Sequence, residues 1–138
     1  MPRLDYKSLA IAFVAELGAD ILIQAFLMTI FTANLLSGSE TPEQRDQVLQ
    51  EAMNTTALCP TIFIFGMLTT VAGGYLAARL ARRIPYYHGL AMGVVGLVYA
   101  MLMWNANARW YDYIGVLLTI PASIYGAHIA RRHIPSET

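Results

Sequence analysis

Four apolar runs, at about residues 9–36, 58–80, 89–104 and 113–130, take up nearly the whole chain, and no other feature of the sequence constrains its fold so tightly. A bilayer core about 30 Å thick takes roughly 20 apolar residues per helical crossing. Inside lipid the backbone has no water to bond to, so a spanning run closes its own hydrogen bonds as a helix. The pattern therefore predicts an all-α polytopic membrane protein, a bundle of four transmembrane helices forming one domain over residues 1–138. A composition that is 57% hydrophobic and 13% charged, with a mean hydropathy of +0.48, lies well away from the balance of a soluble domain.

Formal net charge is zero, which gives no case for a nucleic-acid partner. The basic residues are unevenly placed. Arg3 and Lys7 precede the first run, Arg79, Arg82 and Arg83 end the second, and Arg131 and Arg132 end the fourth; only Arg45 and Arg109 fall in the other loops. By the positive-inside rule both termini are cytoplasmic, as in a bacterial inner-membrane protein. Trp104, Trp110, Tyr111 and Tyr113 would mark the outer interface, Tyr86 and Tyr87 the inner one. The single cysteine, Cys59, has no partner for an internal disulfide and is expected as a small hydrophobe near the start of the second helix. The first run is too long for a cleaved signal peptide and is expected to stay.

The outer loop reads "SGSETPEQRDQVLQEAMNTT". Thr41 as N-cap, Pro42 at the first helical position and Gln44 three residues after the cap make a capping-box start. A short amphipathic helix over about 42–53 should follow, with Val48, Leu49, Ala52 and Met53 on one side, lying along the membrane surface or acting as a lid for a partner.

Small residues are spaced for close helix contact. Gly66, Thr70, Gly74 and Ala78 recur every four residues with Gly73 alongside; Gly89, Gly93 and Gly96 follow in the third run, and Ala122, Gly126 and Ala130 in the fourth. Such seams let backbones approach and gain dispersion contacts, and they serve contacts within one chain or between copies equally well. Pro121 removes the amide that would bond the Leu117 carbonyl and predicts a kink. "LARRIP" at the end of the second run is echoed by "IARRHIP" at the end of the fourth, either from duplication of a hairpin or from a shared stop-transfer pattern.

The candidate site lies in "FVAELGADILIQAF". Glu16, Asp20 and Gln24 follow at four-residue spacing, each turned about 40° from the last, so the first helix carries one polar stripe, to which Asn34 returns. A carboxylate in apolar company is costly unless something offsets it. One reading pairs Glu16 or Asp20 with Arg79, fixing the packing of two helices; removing one member of such a pair typically costs about 3 to 5 kcal/mol. The other reading makes these residues a site that carries a proton or holds a cation. His88 and His128 could in principle offer axial ligands to a haem, but no spacing of metal ligands, activated nucleophile or phosphate-cradling loop is present, and neither metal nor cofactor is expected.

"GGYLAARLARR" followed by "HGLAMG", after a first helix with an intramembrane acid, resembles a group of small four-helix bacterial integral membrane proteins. That resemblance implies fold and location and carries no activity. "FVAELGAD" is also similar to the first-helix segment of the small multidrug resistance family, which implies Glu16 in a substrate and proton site. The likeness covers one helix; Asp20 is an extra acid, and the outer loop has no counterpart. The leading expectation is a non-enzymatic structural or accessory protein that packs, self-associates as a homo-oligomer or joins a membrane complex through its small-residue seams. The alternative is a small proton-coupled transporter or channel. The two differ in whether a cavity reaches Glu16 or Arg79 covers it.

Overall fold

Four long helices account for most of the residues described by the computed structural model, namely 4–36, 41–44, 46–47, 58–81, 84–103 and 110–133. They are α1 (Tyr6–Leu36), α2 (Leu58–Ala81), α3 (Pro85–Leu102) and α4 (Trp110–His133), and no strand occurs among the described residues. The helices overrun the apolar runs because polar and aromatic flanks also propagate helix. α1 starts three residues before its run, capped by Asp5, which accepts hydrogen bonds from the Lys7 and Ser8 amides and from the Ser8 hydroxyl. The Ser8 hydroxyl, then the Ser8 amide, hold this carboxyl below the usual carboxylate range. α3 begins four residues early, with Pro85 at its first turn, and ends by Met103, which forms a turn. α4 continues through Pro121.

Residues 42–44 and 46–47 are helical, and the capping box is present: the Thr41 amide donates to Gln44 Oε1 at 3.2 Å and the Gln44 amide to Thr41 Oγ1 at 3.3 Å. The rest of the helix expected over 42–53, including Val48, Leu49, Ala52 and Met53, lies outside the described residues.

By length and composition α1, α2 and α4 can each cross a membrane. α3 falls short of that standard, having 18 residues and Tyr86, Tyr87 and His88 in its first turn. The outer surface fits a lipid solvent: Val14 is 67% exposed, Leu22 72% and Leu117 74%. Large aliphatic side chains this exposed on several helices mark a membrane protein.

α1 and α3 run one way, α2 and α4 the other. The end of the bundle holding Tyr6, Ala81, Pro85 and His133 is termed basal here, and the opposite end, holding Leu58, Leu102 and Trp110, apical. α2 packs most extensively on α4 and also touches α1 and α3; α4 also packs on α3. α1 rests on α2, makes a smaller contact with α3, and makes none with α4 among the described residues.

The basal half is closed by small residues. A Cβ on Gly74 would run into the Ser123 carbonyl, and one on Gly126 into the Val71 carbonyl, so α2 and α4 meet backbone to backbone. On the α3 side, a Cβ on Gly89 would come within 2.5 Å of the Ala127 methyl, and one on Gly93 within 2.9 Å of Ile120 Cα. Ser123, fully buried at the centre, donates its hydroxyl to the Gly89 carbonyl at 2.8 Å. Ala78 packs with Ala127 and Ala130 below this level, and Ala12, Ala77 and Met92 join α1, α2 and α3. Gly74, Gly89, Gly93 and Gly126 are thus spent on contacts within the chain.

The reversal from α2 into α3 passes through Ile84, whose φ of 49° and ψ of 60° place a β-branched residue in the left-handed region. Its carbonyl accepts from the Tyr87 and His88 amides and faces His88 Nδ1. Those three bonds help hold a conformation that isoleucine otherwise avoids.

Candidate functional site

Above the closed half the helices part around a cleft of about 630 Å³ lined by all four of them. The polar stripe of α1 forms one wall, because residues four apart on a helix lie nearly above one another. Glu16, Asp20 and Gln24 all line the cleft, stepping from its floor toward the apical end. The Asn34 side chain lies outside the described set.

Glu16 is placed by a glycine. Its side chain lies flat on Gly73 of α2, where any Cβ would collide with the carboxylate, and it sits beside the Thr70 hydroxyl. Gly73 therefore makes room for an acid, a different task from that of its neighbour Gly74, which meets another backbone. Gly66, also expected in a seam, borders the cleft instead, and a Cβ there would sit an ordinary 3.9 Å from Asp20 Oδ1.

Asp20 lies one turn higher and accepts from two sides. The Gln24 amide donates to Oδ2 at 2.9 Å, and the Thr69 hydroxyl lies 3.3 Å from Oδ1. Thr69 also lies 2.8 Å from the Gly66 carbonyl. Its single proton can serve one acceptor at a time. That proton goes either to the Asp20 carboxylate or to the Gly66 carbonyl.

The remaining walls are largely aromatic. Phe13 and Tyr99 meet edge to face with centroids 5.9 Å apart, and Phe63 lies against Gly115 in the cleft wall. At the apical end the Tyr111 hydroxyl donates to Cys59 Sγ at 3.4 Å, so the cysteine is half-buried in the cleft wall. Asp112, in the first turn of α4, is a third acid lining the space. Sequence reasoning singled out neither Asp112 nor Thr69, and took Thr70 only as a seam residue. Two adjacent hydroxyls in "MLTTVAGG", inside an apolar run, were the available signal for the pair; Asp112 gave none, since an acid at a helix start is ordinary.

Arg79 does not pair with either acid. Its Nη1 donates to the Tyr75 hydroxyl at 2.7 Å and its guanidinium lies over that ring at 5.7 Å. The cause is register. Arg79 follows Gly73 by six residues, about 9 Å further down α2 and well around its circumference, so its exposed side chain leaves at the basal surface while Glu16 stays above. The expected ion pair is replaced by a local contact within one helix.

The histidines are likewise engaged. His88, 1% exposed, accepts from the Asp5 amide at Nε2 (3.0 Å) and faces the Ile84 carbonyl through Nδ1 (3.2 Å). His128 bonds Tyr86 and Arg132. Among the described residues no three His, Cys, Asp or Glu side chains are grouped to hold a metal ion. Chemically, the cleft offers carboxylates, hydroxyls and π faces, a lining that attracts a monovalent or organic cation with apolar substituents and a mobile proton.

No family model matches this chain, nor does any curated protein or solved structure.

Proposed function

We propose that the chain is a small, non-enzymatic integral membrane protein that binds a cationic, partly apolar substrate in the four-helix cleft and moves it by exchange with protons. One observation carries this reading: a cleft of about 630 Å³ extends to Glu16 and Asp20, and Arg79 is turned away from both. A carboxylate used only for packing would be covered by its partner. In this reading Glu16 takes cation or proton at the floor, Asp20 and Gln24 form the next station, and Phe13, Phe63, Tyr99 and Tyr111 supply π faces.

The reading includes α3 as a fourth span. The starts of α2 and α4 lie together, with Tyr111 bonded to Cys59, so the chain between Ala81 and Trp110 has to return across the same thickness. Basic residues collected at the basal end favour that end, and both termini, on the cytoplasmic side of a bacterial inner membrane.

A second reading, an accessory subunit, draws support from α1. Its apolar outer face bears Val14, Leu22 and Phe26, all exposed, and it touches the bundle mainly through α2. A homo-oligomer or membrane complex would be built on that face.

Binding of tetraphenylphosphonium to the reconstituted full chain separates the two. Wild type should bind it with proton release, and the Glu16→Gln and Asp20→Asn variants should each weaken binding at least about tenfold with little change in melting temperature, the scale of one lost charge contact. Unchanged binding in both variants, or none in wild type, removes the transport reading and leaves the accessory one.

A further inference from the structure

A second polar cluster occupies the basal end, between α3 and α4, remote from the cleft. Tyr86 Oη lies 2.8 Å from His128 Nδ1, and His128 Nε2 lies 3.3 Å from Arg132 Nη2. Arg131 Nη1 donates to the same Tyr86 oxygen at 3.4 Å, and its guanidinium lies 5.6 Å over the Tyr86 ring. These contacts fix the proton positions. Arginine can only donate, so Nε2 of His128 is the acceptor and Nδ1 carries the imidazole proton. Tyr86 Oη therefore accepts from both His128 and Arg131, and its own O–H is left pointing outward.

What the cluster still offers is donors only: the remaining N–H groups of two exposed guanidiniums and one phenol. Among the described residues no carboxylate pairs with Arg131 or Arg132. The one described acid at this end, Asp5, caps α1 through Ser8 and Lys7. Among the described side chains, two positive charges and planar donor forks with no free acceptor match an oxyanion, and phosphate suits guanidinium geometry best. The setting selects the source. Arg131 and Arg132 stand in the last turn of a membrane-crossing helix, beside a tyrosine at the level where headgroups lie.

We propose that Tyr86, His128, Arg131 and Arg132 form a binding site for the phosphate headgroup of an anionic phospholipid. His128 acts by positioning: it holds Tyr86 and Arg132 in one chain of hydrogen bonds, so that three donors face one phosphate. Arg79 and Tyr75 repeat the arginine-over-tyrosine contact on α2, with His133 set edge to face on the Tyr75 ring at 6.4 Å instead of hydrogen-bonded to its hydroxyl, and provide an internal control.

The test uses the full chain in phosphatidylcholine nanodiscs with graded phosphatidylglycerol, reading retained lipid by native mass spectrometry. Wild type should retain phosphatidylglycerol selectively. The Arg131→Gln, Arg132→Gln double variant should lower that preference roughly 30-fold, the scale for two basic residues at a lipid surface. Tyr86→Phe, which removes one oxygen, should lower it about fivefold while circular dichroism stays unchanged, and Arg79→Gln, the same change of charge as Arg132→Gln alone but elsewhere on the same end, should leave it intact. Equal losses from Arg79→Gln and from Arg132→Gln would reduce the effect to general surface charge and overturn the site. Undiminished preference in the double variant, or in Tyr86→Phe should the double variant not fold, would do the same. Displacement of the lipid by millimolar inorganic phosphate would assign the cluster to a soluble anion and overturn the lipid assignment.

Discussion

The basal and apical halves of the bundle draw on similar apolar residues, yet one is closed and the other open, and the difference comes down to what stands opposite each glycine. In the basal half Gly74 and Gly126 face backbone carbonyls, and Gly89 and Gly93 face Ala127 and Ile120, so helices come together until main chains touch. In the apical half Gly66 faces only Asp20 at ordinary distance, and Gly96 and Gly115 face single side chains, Thr119 and Phe63. Gly73 sits on the boundary, where it admits Glu16. Close packing supplies most of the association energy available to helices in lipid, so the basal half anchors the structure and leaves the apical half free to enclose a polar space.

The largest test of this contrast is Gly74→Leu. No rotamer avoids the Ser123 carbonyl, so α2 and α4 must separate; the expected loss is about 3 kcal/mol or more, above the usual cost of overpacking because the obstacle is backbone. A melting temperature in detergent equal to wild type would break the comparison. Ser123→Ala should come next, at about 1 kcal/mol, for the lost buried hydrogen bond to the Gly89 carbonyl. Its measurement by denaturant titration sharpens how much of the basal stability is polar. Gly66→Ala should be smallest, within about 0.5 kcal/mol in the same titration, because the added methyl meets only Asp20 Oδ1 at contact distance. A loss there as large as that of Gly74→Leu would mean that the two halves are packed alike.

Three of the helices were legible because each is an apolar run long enough for lipid, α3 because it is a shorter apolar run of the same kind, and the capping box at Thr41 and Gln44 was legible because it is a local pattern. The stripe of Glu16, Asp20 and Gln24 followed from helical periodicity alone. Its surroundings did not. Which residue of α2 stands opposite Glu16 depends on the axial shift between two helices, and that shift is set by how deeply Gly73 lets α1 settle, a property of the packed pair that neither helix carries by itself. Hydropathy placed Arg79 at the level of the acids; the register puts it nearly two turns below them. The seam glycines were visible in the same limited way. Spacing identified them as close-packing residues, while their partners, and the separate task of Gly73 and Gly66, emerged only with all four helices in place.

The left-handed reversal at Ile84 bears on how the molecule is made. α3 has the weakest claim of the four to partition into lipid unaided, with tyrosines and a histidine in its first turn, and only three residues separate it from the end of α2. A link that short gives it no independent entry during synthesis. In the proposed four-span arrangement, α2 and α3 would leave the insertion machinery as one antiparallel pair, the stronger segment carrying the weaker.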